Sequence, residues 1–345
     1  MNPNKFSSSV FYDTVNSFYK TSAVRTALEL DIFSIIGEDG KTIKQIAESC
    51  QASERGVRIL CNYLVSIDFM CIEGNRFFLN REMSLHLNRK SPYYLGGTTK
   101  FLLSEYIIDS FKHLTEVIRT GELPIENEGI VAPNQPQWVE FARAMEPMML
   151  LPSLLLADIA DYQSNKPINV LDLAAGHGQF GIAMAQRNPN THVTFLDWKD
   201  VLGVARENAQ KAGVEERTSY IPGNAFTVDF GKNYDIILMT NFLHHFDKND
   251  CVTIMKKAYN ALNDNGRVLI FEIIDGKEKQ AQKLAATFSM LMLATTPNGE
   301  VYNEKELKNI SFEAGFVQAE LHEIPPAVEK VIVAYKNDKI KDITK

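Results

Sequence analysis

Asn169–Trp198, NVLDLAAGHGQFGIAMAQRNPNTHVTFLDW, is the most informative stretch of this chain. An apolar run (Val170, Leu171, Leu173) carries Asp172 and turns sharply through Gly176-His177-Gly178-Gln179-Phe180-Gly181. A helical pattern follows, and a second apolar run (Val193, Phe195, Leu196) stops on Asp197. A strand, a glycine turn, a helix and a strand ending in an acid form the layout with which α/β sheets hold an adenosine. The glycines let backbone approach a ligand with no Cβ in the way. Asp197, at the tip of the second strand, is placed to accept from both ribose hydroxyls.

Two cofactor classes compete for this element. Gly176, Gly178 and Gly181 satisfy the GxGxxG spacing of dinucleotide sites, where a pyrophosphate rests on a helix N-terminus. Asp172 stands four residues before the first glycine, and a carboxylate there repels a pyrophosphate but attracts an ammonium or a sulfonium. S-adenosylmethionine carries both cations and no phosphate, so the acid favours it over NAD. The bland alternative is a bare strand-turn-helix with an incidental acid, because a lone GxGxxG is weak.

Downstream order supports the same choice. A helix pattern (Val201–Ala212), a strand-like run (Thr218–Ile221), the loop Gly223-Asn224-Ala225-Phe226 and an apolar strand (Tyr234–Met239) follow in turn. Then come a helix (Asn249–Leu262), a turn at Asp264-Asn265-Gly266 and the strand Arg267–Ile274. Strands alternating with helices give a doubly wound parallel α/β sheet. The runs Phe316–Glu323 and Lys330–Tyr335, joined through Pro325-Pro326, predict a closing antiparallel hairpin, a habit of methyltransferase rather than dehydrogenase domains.

Taken together, Asp172–Gly178, Asp197, Gly223–Phe226, the His244 segment and Glu272 resemble the plant caffeate-type and bacterial antibiotic-pathway small-molecule O-methyltransferases, over nearly the whole chain. The resemblance implies a Rossmann-like class I methyltransferase domain behind a winged-helix dimerisation domain. It implies donor contacts from Asp172, Ala174, Gly176, Gly178, Asp197 and Trp198, from Gly223, Asn224, Ala225 and Phe226, and from Thr240 and Asn241. Asn224 stands where the family usually has Asp, and its amide carbonyl can still face an adenine amino group. Thr240 stands where a family lysine contacts the donor's carboxylate.

Thr240-Asn241-Phe242-Leu243-His244-His245-Phe246-Asp247 follows directly on a strand, at the end where doubly wound sheets bind ligands. Methylating a phenol or enol needs its hydroxyl deprotonated during attack, and histidine is the natural base near neutral pH. Its other ring nitrogen needs an orienting carboxylate, and Glu272, 28 residues on, ends the next strand. The resembled family shows the same order, so His244 and Glu272 are the candidate catalytic pair. His245 as the base, or a structural role for both histidines, remains open. The family's second glutamate aligns with Val301, beside Glu300, which leaves a carbon acceptor open as well as an oxygen one. A metal held by His244, His245, Asp247 and Glu272 has no supporting spacing, so none is expected. Cys50, Cys61, Cys71 and Cys251 form no CxxC pair and read as free thiols.

Near the N-terminus, Phe6–Leu30 has helical periodicity, Thr42-Ile43-Lys44-Gln45 is a capping-box signature opening Ile43–Ser49, and Ser53 caps a helix with Val57, Leu60, Leu64 and Ile67 on its apolar face. Phe69–Ile72 and Phe77–Leu79 flank a Glu73-Gly74-Asn75 turn. Three helices and a hairpin make a winged helix, best known for binding DNA. With 36 Lys+Arg against 43 Asp+Glu the chain is acidic, and Ser53–Ile67 offers only Arg55 and Arg58, so no nucleic-acid partner is expected. In the resembled family this module forms a homodimer, its first helix reaching across to the other subunit.

Between the modules, Phe101–Arg119 reads as one helix and Trp138–Asp161 as another broken by Pro147 and Pro152, with the loop Gly121–Pro136 between them. Phe141 and Met145, with Met290 and Met292 on a later helix, resemble acceptor-pocket residues, although such stripes are more often core. The division is 1–95 for dimerisation, 96–165 for a helical linker and pocket roof, and 166–345 for the methyltransferase domain. The 345 residues hold no apolar run long enough for a membrane span, the start lacks a signal-peptide core, and KNDKIKDITK is a charged tail. The reading is a cytoplasmic, homodimeric, S-adenosylmethionine-dependent methyltransferase acting on the hydroxyl of a small aromatic or enolic molecule. The alternatives are a C-methyltransferase, a non-catalytic donor-binding regulator, and a nicotinamide-dependent oxidoreductase.

Overall fold

A computed structural model describes residues 8–124, 136–160, 166–276 and 278–337. It divides into two compact units, Met1–Thr99 and Lys100–Lys345.

The first unit is helical with a small sheet of β1 (Lys41–Thr42), β2 (Cys71–Glu73) and β3 (Arg76–Phe78), ordered β1-β3-β2. Thr42 accepts from the Gln45 N–H at 3.3 Å and Gln45 Oε1 accepts from the Thr42 N–H at 3.0 Å, so the capping box closes as the sequence spells it. Ser53 Oγ likewise accepts from Gly56 N–H and starts the helix Glu54–Ser66. Phe33, Ile36, Ile46, Val57, Leu64 and Phe77 fill the core. The expected single helix Phe6–Leu30 is two, Ser9–Val15 and Ser17–Glu29, parted at Asn16. The shorter one buries nothing: Val10, Phe11, Tyr12 and Val15 are all exposed.

The second unit is built on seven strands: β4 (Ile168–Leu173), β5 (Thr191–Asp197), β6 (Thr218–Pro222), β7 (Tyr234–Thr240), β8 (Leu262–Glu272), β9 (Gln318–Glu323) and β10 (Lys330–Tyr335). Their order is β6-β5-β4-β7-β8-β10-β9, with β4 to β8 parallel and β10 antiparallel to both of its neighbours. Ile236 and Leu238 face one apolar layer while Ile237 and Met239 face the other. Helices cover both faces, so the central strands are apolar throughout rather than alternating. The order reverses at β4, and the ends of β4, β5, β7 and β8 open onto one crevice, where such sheets bind ligands.

Three further expectations are corrected. Phe101–Arg119 is three helices, Thr99–Leu102, Glu105–Lys112 and Leu114–Thr120, because Ser104 Oγ takes the Ile107 N–H and caps a new start. Pro136–Ile159 instead runs unbroken through Pro147 and Pro152. Each proline removes a backbone donor, but buried Ala142, Met149, Leu156 and Ala157 anchor the helix on both sides of the interruptions. The turn at Asp264-Asn265-Gly266 is absorbed into β8 as an irregularity opposite Tyr234 and Ile236. Most of the loop 121–136, Asp161 and the end of the C-terminal tail lie outside the described residues.

Gly181 sits where β4, β5 and the helix Gln179–Arg187 close on one another. A Cβ there would stand 2.6 Å from the Phe195 ring, 2.7 Å from Val193 Cγ1 and 2.9 Å from Asp172 Oδ2. Gly181→Ala therefore overpacks the sheet, with an expected loss of about 1–3 kcal/mol. Denaturant titration of the two proteins checks it, and equal midpoints would contradict the contact.

Candidate active site

The chain leaves β4 through three left-handed positions within five residues: Ala174 (φ 54°), Gly176 (φ 56°) and Gly178 (φ 75°). A Cβ on Gly176 would meet nothing within 4 Å, so the turn borders open space. Asp172 is fully buried below it. Its Oδ2 accepts from Gly181 N–H at 2.9 Å, while its buried Oδ1 has no partner. Burial pushes the carboxyl up to about 8, and Asp197 adds to the rise. Asp197 accepts from Gly176 N–H at 2.8 Å and Trp198 N–H at 2.6 Å, so the acid at the tip of β5 is fastened to the turn at the tip of β4. Burial also raises Asp197, to about 6.

The loop after β6 is tied to the same acid: Gly223 N–H donates to Asp197 O at 2.9 Å. Asn224 Oδ1 accepts from Phe226 N–H at 2.8 Å, so its carbonyl braces its own loop. Ala225 is buried, and the Phe226 ring stands edge-on to Phe246 at 4.9 Å. Trp198 packs with Ala142, Val201 and Val204. Thr240 is buried, and Asn241 (φ 51°) donates from its N–H to Phe271 O at 2.8 Å.

Beyond Asn241 the chain makes one tight turn, Leu243–His245, hung on a single carboxylate. Glu272 Oε1 accepts from Phe242 N–H at 2.9 Å and Leu243 N–H at 2.8 Å, and Oε2 lies 2.5 Å from His244 Nδ1. Both side chains are buried. A carboxylate on Nδ1 fixes the proton there and leaves Nε2 bare as an acceptor. The far side of the turn is held by Tyr302 Oη, which donates to Phe246 O at 2.6 Å, and by Cys251 Sγ, which donates to Leu243 O at 3.3 Å. His245 Nδ1 lies 3.2 Å from Phe242 O. Burial, and then the adjacent His244, press its pKa well below the usual histidine range, so it stays neutral. Val301 is half-buried, while Glu300 points into solvent. Among the described residues no three His, Cys, Asp or Glu side chains converge to hold a metal.

Aromatic side chains surround the histidines. Phe288 meets His244 edge-on at 4.8 Å, and Trp138 meets His245 at 5.6 Å. Phe141 stands against Trp138 and Phe101, and Leu291 joins the cluster. Of the suggested pocket residues, Phe141 is in this cluster, Met145 is half-buried, Met292 is buried, and Met290 is 40% exposed. Trp138, Phe288 and Leu291 were missed. Their spacing, three before Phe141, four before Met292 and one before it, was the available signal.

Comparison with known proteins accords with this geometry. The family model of the O-methyltransferase domain matches residues 139–317, and that of the O-methyltransferase dimerisation domain matches residues 12–88. A solved structure from Nostoc punctiforme assigned to the O-methyltransferases is 42% identical, covers 96% of this chain and 100% of its own, and superposes with a TM-score of 0.92. The tetracenomycin polyketide synthesis 8-O-methyl transferase of Streptomyces glaucescens is 23% identical over 304 residues, 87% of this chain and 88% of its own. The L-tyrosine C(3)-methyltransferase of Streptomyces lavendulae is 23% identical over 305 residues, 85% of this chain and 82% of its own.

Asp172 has a pH signature. Its carboxyl rises from 3.8 in the free chain to about 8 when folded, so folding is favoured while it is protonated and loses that contribution as pH climbs from about 4 to about 8. Asp172→Asn keeps an acceptor for Gly181 N–H and removes the buried charge. The variant is expected to melt about 2–4 °C above the parent at pH 8, with the gap closing towards pH 4. Melting curves across that range test it, and a pH-independent gap would refute the assignment.

Proposed function

The chain belongs to the O-methyltransferase family, and from that premise we propose that His244, oriented by Glu272, is the general base for methyl transfer to the hydroxyl of a small aromatic or enolic acceptor. The donor is S-adenosylmethionine, which supplies an electrophilic methyl on a sulfonium. The residues at the turn fit it. A buried carboxylate oxygen without a partner, Asp172 Oδ1, lies beneath a glycine turn that borders open space, which suits a cation and disfavours a pyrophosphate. In this reading Asp172, Ala174, Gly176, Gly178, Asp197, Trp198, Gly223–Phe226, Thr240 and Asn241 hold the donor, and Phe141, Met145, Met290 and Met292 belong to the acceptor side.

The observation that carries the base assignment is the 2.5 Å contact of His244 Nδ1 with Glu272, inside an aromatic cluster at the ligand end of the sheet. With the proton fixed on Nδ1, Nε2 takes the hydroxyl proton as the acceptor oxygen attacks. Glu272 then faces an imidazolium and stabilises it. Phe288, Trp138 and Phe141 exclude water, which strengthens the pull between an anionic oxygen and a cationic donor. Val301, apolar where a second carboxylate is usual, supports a second reading in which the acceptor atom is carbon.

The dimerisation domain is the basis for proposing a homodimer, with the wholly exposed helix Ser9–Val15 reaching the second subunit. The division at residues 95 and 165 and a cytoplasmic home belong to the same proposal. Among the described residues no helix is long and apolar enough to cross a membrane.

His244→Gln is expected to leave donor affinity nearly intact and to slow transfer about 10²–10⁴-fold. The assay follows label from methyl-labelled S-adenosylmethionine into a small-molecule extract, and carbon NMR of the product separates methoxy from C-methyl. A variant with most of its activity intact would remove the base assignment. Asp197→Ala should instead weaken binding of S-adenosylhomocysteine by calorimetry, and unchanged binding would remove its ribose role.

A further inference from the structure

In the loop at residues 223–228 the carbonyls of Asn224, Ala225 and Val228 all have hydrogen-bond donors. Asn224 O accepts from Thr227 N–H at 3.0 Å and Val228 N–H at 2.9 Å, and Asn224 Oδ1 accepts from Phe226 N–H. The carbonyls of Ala225 and Val228 are taken by one side chain: Lys257 Nζ donates to them at 2.6 Å and 2.9 Å. The same ammonium lies 4.5 Å above the buried Phe230 ring, which accounts for its remaining face. The N–H groups of Asn224 and Ala225 make no hydrogen bond within the described chain. At Asn224 and Ala225 the loop therefore offers its N–H groups while their carbonyls are already taken.

We infer that Lys257 is a positioning residue for the donor's adenine: by holding the Ala225 and Val228 carbonyls, it keeps the loop in the form that leaves the Asn224 and Ala225 N–H groups free for a purine ring nitrogen. The inference rests on the donor site proposed above.

Without the lysine, the Ala225 and Val228 carbonyls would turn towards any available donor, the loop's own N–H groups included. A charged donor on both is stronger than a neutral one and leaves the N–H groups uncommitted. Lys257 is half-buried, and burial lowers its pKa, so the chain accepts a desolvation cost to keep a cation there. It also links the two halves of the site. Its helix, Lys248–Ala261, is capped by Asp247 directly after the Leu243–His245 turn, so the segment that carries His244 continues into the one that fixes the loop.

Calorimetry with two probes tests the idea: S-adenosylhomocysteine, whose purine N1 is an acceptor, and S-inosylhomocysteine, whose N1 carries a proton and opposes a donor. Wild type should prefer the adenine ligand. Lys257→Met keeps the aliphatic stem without donors. It should bind S-adenosylhomocysteine about tenfold more weakly, the worth of one charge-assisted hydrogen bond, and lose most of the preference between the two ligands. Lys257→Arg should restore both properties to within about threefold of wild type. If the methionine variant fails to fold, Lys257→Gln is judged by the same two numbers. Affinity within twofold of wild type overturns the inference. So does an equal loss for both ligands with the preference intact, since that is the mark of a merely structural lysine. A wild type that binds neither ligand removes the donor site itself and the inference with it.

Discussion

The turn that carries His244 depends on the burial of one carboxylate. Glu272 ends β8 inside the protein, with three partners on its two oxygens. A buried carboxylate is costly unless charge-assisted hydrogen bonds surround it. Two of its donors are consecutive backbone N–H groups, so satisfying the charge also fixes the path of the turn. The third partner is an imidazole nitrogen, so the same requirement fixes the tautomer of His244. Tyr302 and Cys251 hold the outward carbonyls of that turn, which leaves the histidine little rotational freedom.

The glycine turn after β4 solves a related problem in the opposite way. Asp172 is as deeply buried as Glu272 but has a single backbone partner, and its second oxygen is left bare. The under-satisfied carboxylate drifts towards its protonated form, and the fully satisfied one anchors structure. Two acids of one sheet thus divide their tasks by hydrogen-bond count. A cation placed near Asp172 would supply the partner that the protein withholds and would favour the ionised form of that group.

Much of this was legible in the sequence, and the reasons are local. The glycine turn, the acids near the ends of β4 and β5, and the apolar strands between helical patterns are short-range signals, and the observed strand limits match them within about five residues. The order of His244 and Glu272 at the ends of neighbouring strands was legible because parallel pairing of β7 with β8 brings their C-terminal ends together. What was not legible depends on contacts far apart in the chain. Continuity of Pro136–Ile159 comes from buried residues on either side of its prolines. The split of Phe101–Arg119 turns on which N–H the Ser104 hydroxyl captures. Trp138 and Phe288 look like any core aromatic until the fold sets them against the histidines. Lys257 looks like a solvated helix residue until its carbonyl partners, roughly thirty positions upstream, are known.

The two adjacent histidines have a consequence for solvent. Their ring centroids lie 4.3 Å apart, and burial, followed by the neighbouring His244, presses the pKa of His245 well below the usual histidine range, which favours its neutral form. A charged ring there would need hydration that a wall shared with Trp138, 5.6 Å away, does not supply. The second histidine thus serves as aromatic surface, and it keeps one side of the turn dry.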